Sequence, residues 1–324
     1  MENMLEDLSI ATKILGLNVS GSKLLAVYGD MNGLVYEKLQ GQLPLAGDFL
    51  EDIEAVFTQA DKLMKLCRAQ GLPSPEVVSV AVSGPVDLLK GMALSPPDLP
   101  GWDNAPLKGR LGVRYNLPVF VEHRSNAGAL AELFFGAGTG SEHLVFLDLE
   151  PVAAAGLVLN GRIYHGAHHA AGEIGKMPLA PEGPSGLSTS GSLTGFASGP
   201  GLAELAHLRF PERWSSLPNP YDLIRRANQG EAEALAVVGE SARYLARGLL
   251  WMMYTLDPEL VIFGHPGDLL GETLLTPLRE AVLRLGGGNA QQLPRLAVSG
   301  LGAKLDAVAA ISAAVAAFRT QRAA

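Results

Sequence analysis

With a single cysteine in 324 residues, the chain has no means of forming an internal disulfide. Cys67 lies on the apolar stripe of a predicted helix beside Leu63 and Leu66 and reads as a small core residue. Charge is scarce too. Asp, Glu, Lys and Arg make up 18% of the chain against 48% hydrophobic residues, a balance that excludes disorder and fits a compact Ala- and Leu-rich fold. Cations are the scarcer sign, 25 against 33 anions, for a net charge of -8 and no basic stripe. Direct nucleic-acid binding is therefore not expected, because it depends on a concentrated field of Lys and Arg. Long apolar runs are also missing. The longest, residues 305–318, carries Asp306 and falls short of the roughly 20 residues a spanning helix needs, so it predicts a buried helix and no membrane contact. Residues 1–13 alternate acids with apolar side chains and lack the basic start and apolar core of an export signal, so a cytoplasmic location is expected.

The length predicts two domains of ordinary size. Short β-type runs at 14–18, 24–28 and 34–39, punctuated by Gly21-Ser22 and Asn32-Gly33, predict a three-strand meander. A helix follows from Asp48, with Phe49, Ile53, Val56, Phe57, Ala60, Leu63, Met64 and Cys67 on one face and Gly71 as its stop. Residues 77–82 read as a buried strand ending in Ser83-Gly84-Pro85. A Pro-rich loop, 95–106, is read as a hinge-side segment; it leads to a strand at 118–121 and a helix from about Ser125 to Gly136. Strands follow at 144–149 and 152–159, then an irregular stretch at 180–201. Helices are predicted at 201–208, 221–228, 231–256 and 271–285, with strands at 260–263 and 295–298 before the closing helix. The meander, helix, strand, helix order occurs near the start and again after Leu144. Such duplication implies two related lobes with a cleft between them, where small ligands usually bind.

Five ordered blocks then carry a family likeness: Ser83-Gly84-Pro85-Val86-Asp87, Pro97-Asp98-Leu99-Pro100-Gly101-Trp102, Asn126-Ala127-Gly128-Ala129-Leu130-Ala131-Glu132, Asn160-Gly161-Arg162 and Ala171-Gly172-Glu173-Ile174-Gly175. In these the chain resembles the ROK proteins, a group of repressors, open reading frames and sugar kinases, from about Leu15 to Phe318. The resemblance implies an α/β, two-lobed hexokinase/actin-like ATPase (ribonuclease H-like) fold with a central interlobe cleft. It implies a small lobe over residues 1–122 closed by a C-terminal helix at 304–324, a large lobe over 123–303, and a homodimer formed through the large lobe.

Sugar phosphorylation needs a carboxylate to take the proton of the attacking hydroxyl, a magnesium-held ATP and donors for the phosphates. Family kinases place Glu-Asn-Asp-Ala-Asn at the head of a helix, with the Asp as base. Here the segment is Glu122-His123-Arg124-Ser125-Asn126. A guanidinium accepts no proton, so general-base catalysis, typically worth ~10²- to 10⁴-fold, is unavailable from Arg124. His123 stands for the Asn that would contact sugar hydroxyls. The family pattern Asp-x-Gly-Gly-Thr-Lys becomes Asn18-Val19-Ser20-Gly21-Ser22-Lys23, which keeps the turn and loses the carboxylate that would serve the magnesium ion. The second phosphate loop reads Glu150-Pro151-Val152-Ala153-Ala154-Ala155-Gly156: Pro151 lacks a donor, Glu150 repels phosphate, alanines replace glycines and Gly156 alone remains. The adenosine-side turn is Gly264-His265-Pro266-Gly267. Asn18, Gly21, Ser22, Lys23, Gly156 and Gly264 are thus vestigial nucleotide positions, and tight ATP binding is not expected.

Family proteins commonly hold zinc through a His and three cysteines. Lys176 replaces the His, and residues 185–194 contain no cysteine, Ser192 standing in that loop, so neither zinc nor another metal is expected. Thr194 replaces the sugar-contacting Glu. His165, His168, His169 and Glu173 match neither a zincin helix nor a zinc finger and read as loop residues at the rim of the cleft. The expected ligand cleft is Gly84, His123, Arg124, Glu173, Lys176 and Thr194. Two readings of its added cations stand side by side. Arg124 and Lys176 bind an anionic metabolite or sugar phosphate, or Arg124 pairs with Glu122 or Glu173 and seals a dead site. The leading functional expectation is a catalytically degenerate, non-enzymatic metabolite sensor or regulatory protein of carbohydrate metabolism, with no cofactor. A weak or atypical glucokinase-like enzyme using ATP and magnesium is the first alternative. A ROK transcriptional regulator is the second, although only about a dozen residues precede the first strand, too few for the usual helix-turn-helix.

Overall fold

The computed structural model describes residues 11–287 and 293–322. Along the chain run β1 (Lys13–Ser20), β2 (Lys23–Asp30), β3 (Val35–Gln42), α1 (Phe49–Ala69), β4 (Val77–Val82), β5 (Val86–Asp87), β6 (Met92–Ala93), α2 (Leu107–Tyr115), β7 (Val119–His123) and α3 (Arg124–Phe135). Then come β8 (Leu144–Asp148), β9 (Ala154–Leu159), β10 (Arg162–Ile163), α4 (Leu193–Ala197), α5 (Gly199–Arg209), α6 (Pro220–Asn228) and α7 (Ala232–Leu256). The last elements are β11 (Leu260–Phe263), α8 (Gly267–Leu270), α9 (Glu272–Leu285), β12 (Arg295–Val298) and α10 (Leu305–Arg322).

Two compact units form. One holds the chain up to Thr139, His165–Ala171 and the chain from Ala303; the other holds Gly140–Tyr164 and Gly172–Gly302. The break follows α3, not residue 122, and packing explains why. Phe134 and Phe135 at the end of α3 lie against the apolar cluster that includes Ile311, Val315 and Phe318 of α10, with the Arg319 guanidinium 4.2 Å from the Phe134 ring centre.

In the first unit the meander β3-β2-β1 is antiparallel, and β4 and β7 continue it in parallel, in the order β3-β2-β1-β4-β7. Asp48 caps α1 by accepting the Leu50 amide (2.9 Å). The helix buries Phe49, Ile53, Val56, Phe57, Ala60, Leu63 and Cys67 against one sheet face, roughly 1.5–3 kcal/mol for each large side chain. Leu66, expected beside Cys67 on that stripe, is instead exposed, one helical step off the buried face. α10 covers the other face so closely that a Cβ on Gly16 of β1 would lie 2.7 Å from Ile311 Cγ2.

The second unit repeats the scheme. β10-β9-β8 is an antiparallel meander and β11 and β12 add in parallel, in the order β10-β9-β8-β11-β12, so the duplication read from the sequence is present in the topology. Two differences stand out. α2 occupies a stretch given no element, and the irregular stretch 180–201 contains α4 and the start of α5. The Pro-rich loop is packed into the core of the first unit. Trp102 is fully buried, its Nε1 donates to the fully buried Asp52 (2.9 Å), and its ring meets Phe49 edge-on at 5.1 Å.

Candidate functional site

The parallel strands of the first unit present their carboxyl ends together, the usual ligand side of such sheets. Register aligns Asn18 with Ala81 and Ala81 with Glu122, then Val19 with Val82 and Val82 with His123. Ser20, Ser83 and Arg124 follow at that edge. Buried Asn18 gives its Nδ2 to the Asp306 carbonyl in the first turn of α10 (3.1 Å), so the amide at the lost-carboxylate position ties strand to helix. Gly21, at φ +52°, makes the turn that Ser20 and Lys23 close as partners, and the Ser22 carbonyl accepts the Leu43 amide (2.8 Å).

A residue outside the expected cleft organises this edge. Asp98, buried at 8% exposure, reaches in from the Pro-rich loop, and its Oδ2 accepts from the Gly21 amide (2.7 Å), Ser83 Oγ (2.8 Å) and Ser20 Oγ (3.2 Å). Arg124 Nη1 donates to Ser20 Oγ at 3.2 Å, linking the guanidinium to the carboxylate through one hydroxyl. The sequence did hold a signal for Asp98: an ionisable side chain set among the core residues Leu99 and Trp102 needs partners.

Glu122 is equally committed. Its Oε1 accepts the Asn126 side chain (2.9 Å) and the His123 amide (2.8 Å), while Oε2 meets His165 Nε2 (2.9 Å). His123 caps α3 through Nδ1, 3.2 Å from the Ser125 amide and 2.7 Å from its hydroxyl. Its ring lies on Gly84, where a Cβ would come within 1.9 Å of His123 Cδ2. Gly84, His123, Arg124 and Glu122 thus lie together at this sheet edge, and Ser20, Ser83 and Asp98 join them.

In the second unit Glu173 and Lys176 are exposed. Thr194, expected to face a ligand, is fully buried: its Oγ1 accepts the Ala153 amide (3.1 Å) and its own amide donates to the Gly175 carbonyl (3.0 Å). A short hydroxyl with no solvent exposure serves as an internal tie where a longer carboxylate could have reached outward. Gly156 lies within β9 opposite Phe146, inside the strand read at 152–159. The Ala155 amide is taken by the Gly172 carbonyl (2.8 Å), and Glu150 accepts the Tyr221 hydroxyl (2.7 Å). Gly264 donates its amide to the Leu147 carbonyl (2.9 Å) and packs on Phe146, while His265 Nδ1 meets Asp268 at 2.7 Å. Ser192, in the loop where the family carries cysteines, caps α4 through Gly195, and Ser190 donates to the Gly183 carbonyl (2.8 Å). Among the described residues, no three His, Cys, Asp or Glu side chains are grouped to hold a metal ion, and no helix is long and apolar enough to cross a membrane.

Comparison with known proteins supplies the lineage. A glucokinase of Halalkalibacterium halodurans is 34% identical over 209 residues, a match spanning 61% of this chain and 62% of that protein's length. A xylose repressor of Caldicellulosiruptor bescii is 25% identical over 83% of this chain and 69% of its own. Among solved structures, a ROK family glucokinase from Streptomyces griseus, in complex with glucose and AMPPNP, superposes with a TM-score of 0.79 at 26% identity, covering 92% of this chain and 97% of that one. The fold is that of the hexokinase and actin-like ATPases. The model of the ROK family matches residues 60–303, three quarters of the length, and the chain belongs to that family.

Proposed function

We propose that this ROK protein has left phosphoryl transfer and acts as a metabolite sensor or regulatory protein of carbohydrate metabolism in the cytoplasm. The observation that carries the reading is Arg124 at the head of α3, bonded to Ser20, where a proton acceptor would be required. The neighbouring carboxylates offer no substitute: both oxygens of Glu122 are engaged, and Asp98 faces the chain's own donors. Neither nucleotide nor zinc fits the residues present. The Gly21, Ala153 and Ala155 amides are already bonded within the chain, and Ser190 and Ser192 are committed to a turn and a cap. The ligand class we assign is a small metabolite bearing a phosphate or carboxylate, drawn by the Arg124 guanidinium. The protein pairs with a second copy through the second unit, where Trp251 of α7, 66% exposed, lines an apolar hollow with Leu157, Ile174 and Met177, and Tyr254 of the same helix stands 71% exposed.

The test is hexose- or amino-sugar-dependent ATP turnover by the wild-type chain, with Arg124→Asp as companion. No turnover above background is expected from the wild type. Appreciable turnover overturns the reading in favour of an atypical sugar kinase, the activity of its glucokinase relative. The kinship with a xylose repressor favours a regulatory role as the second reading, and operator binding by the full-length gene product is its measurement.

A further inference from the structure

The turn between β1 and β2 carries an oxyanion cradle that the chain fills itself. The Gly21 amide, the Ser83 hydroxyl and the Ser20 hydroxyl converge on one atom, Asp98 Oδ2, at 2.7, 2.8 and 3.2 Å. A turn amide joined by hydroxyls is how backbone concavities hold phosphate or carboxylate oxygens. Arg124 stands behind it as the cation, 3.2 Å from Ser20 Oγ. The other oxygen, Asp98 Oδ1, is buried and accepts no hydrogen bond. A tie made for stability alone would not leave a carboxylate oxygen desolvated and unmatched, since a neutral acceptor meets the same donors without that penalty.

We propose that Asp98 is a tethered anion seated in a small-oxyanion site, and that it excludes external phosphate or carboxylate groups from this turn. Two anions cannot share the same donors at hydrogen-bond range, so an external one must displace Asp98. That displacement is resisted by the loop itself, which is held four residues later by buried Trp102. The consequence is selectivity: an anionic ligand is left to the outward side of Arg124, and neutral groups alone approach the turn. The function proposed above rests on Arg124 and this inference on Asp98, so a kinase-active wild type would overturn the former without deciding the latter.

The experiment uses full-length Asp98→Ala with formate and inorganic phosphate as probes and acetamide as the neutral control, read by thermal shift and calorimetric titration. Formate and phosphate should stabilise Asp98→Ala at concentrations at least tenfold below any effect on the wild type, acetamide should not, and adding Ser83→Ala should cost at least tenfold in phosphate affinity. Equal anion responses in variant and wild type, or rescue by acetamide as good as by formate, overturn the proposal. Should Asp98→Ala fail to fold, Asp98→Ser keeps a polar side chain that is too short to reach the three donors and so leaves the cradle open. Severalfold tighter phosphate binding than wild type is then expected, and unchanged binding overturns the proposal.

Discussion

Replacing Trp102 by Phe tests whether the loop that delivers Asp98 is as firmly anchored as its geometry implies. Trp102 is fully buried, and its Nε1 donates at 2.9 Å to Asp52, which is fully buried and also accepts the Ala46 amide (3.2 Å). A hydrogen bond to a charged partner contributes about 1.5–3 kcal/mol, and here its loss leaves a buried carboxylate oxygen short of a donor. The smaller ring keeps the edge-on contact with Phe49 but opens a partial cavity, costing about 1–2 kcal/mol more. Trp102→Phe should therefore destabilise the first unit by about 2.5–5 kcal/mol in urea unfolding followed by far-UV circular dichroism. Asp52→Ala and the double variant complete a cycle whose coupling should be about 1.5–3 kcal/mol. Hydrogen exchange should report faster opening of the loop, and with it weaker protection of the Gly21 amide that Asp98 holds. A loss under about 1 kcal/mol with no measurable coupling refutes the anchoring.

Two further outcomes follow from geometry elsewhere. Trp251→Arg places a charge on the exposed apolar face of α7 and should shift a dimer to monomer in sedimentation, leaving the fold intact; a wild type monomeric at high concentration removes that interface. Asp30 reports on pH. Burial alone would raise its pKa, but the Tyr36 hydroxyl (2.7 Å), the Asn32 and Leu34 amides and Lys13 outweigh it and hold the carboxyl below the ordinary carboxylate range. A depressed folded pKa contributes stability that is present above about pH 3.9 and lost as pH falls through the folded value. Asp30→Asn should thus be less stable than wild type by about 1–2 kcal/mol at pH 7, with the gap closing below about pH 4 in acid-titrated urea melts; a gap constant with pH refutes the assignment.

Much of the architecture was legible because burial imposes period on sequence. β4, β11 and β12 fall on the predicted residues, since short, mostly apolar runs bounded by turn residues have few alternatives. α2 escaped because it buries only Leu107 and Leu111, with Lys108, Gly109, Arg110 and Gly112 between and after them diluting the helical signal. α4 escaped for another reason. Ser192 and Ser198 cap α4 and α5 in succession, and residues that begin helices read as loop when the helix behind them is one turn long. At the site, residue types at fixed offsets singled out Arg124, His123 and Gly84, whereas the full burial of Thr194 was not legible because position in a motif says nothing about exposure. Asp98 lies 77 residues from the amide it binds, and no local pattern encodes that pairing.

Arg124 and Asp98 are best understood as a pair. The guanidinium donates to a hydroxyl that itself donates to the carboxylate, so Ser20 passes the charge of one to the other across a partly buried edge where water screens little. Arg124→Asp therefore does more than restore an acid at the head of α3. It withdraws the cation that offsets Asp98 and sets a second carboxylate at the same edge, where like charges repel. The turn amide that the new carboxylate would work beside is still occupied by Asp98. On the proposed reading, phosphate chemistry at this edge is opposed by two groups, one cationic and one anionic, linked through Ser20. That coupling is why restoring residue 124 alone is a weak test of ancestry, and why the wild-type turnover measurement, not the reversion, decides the function.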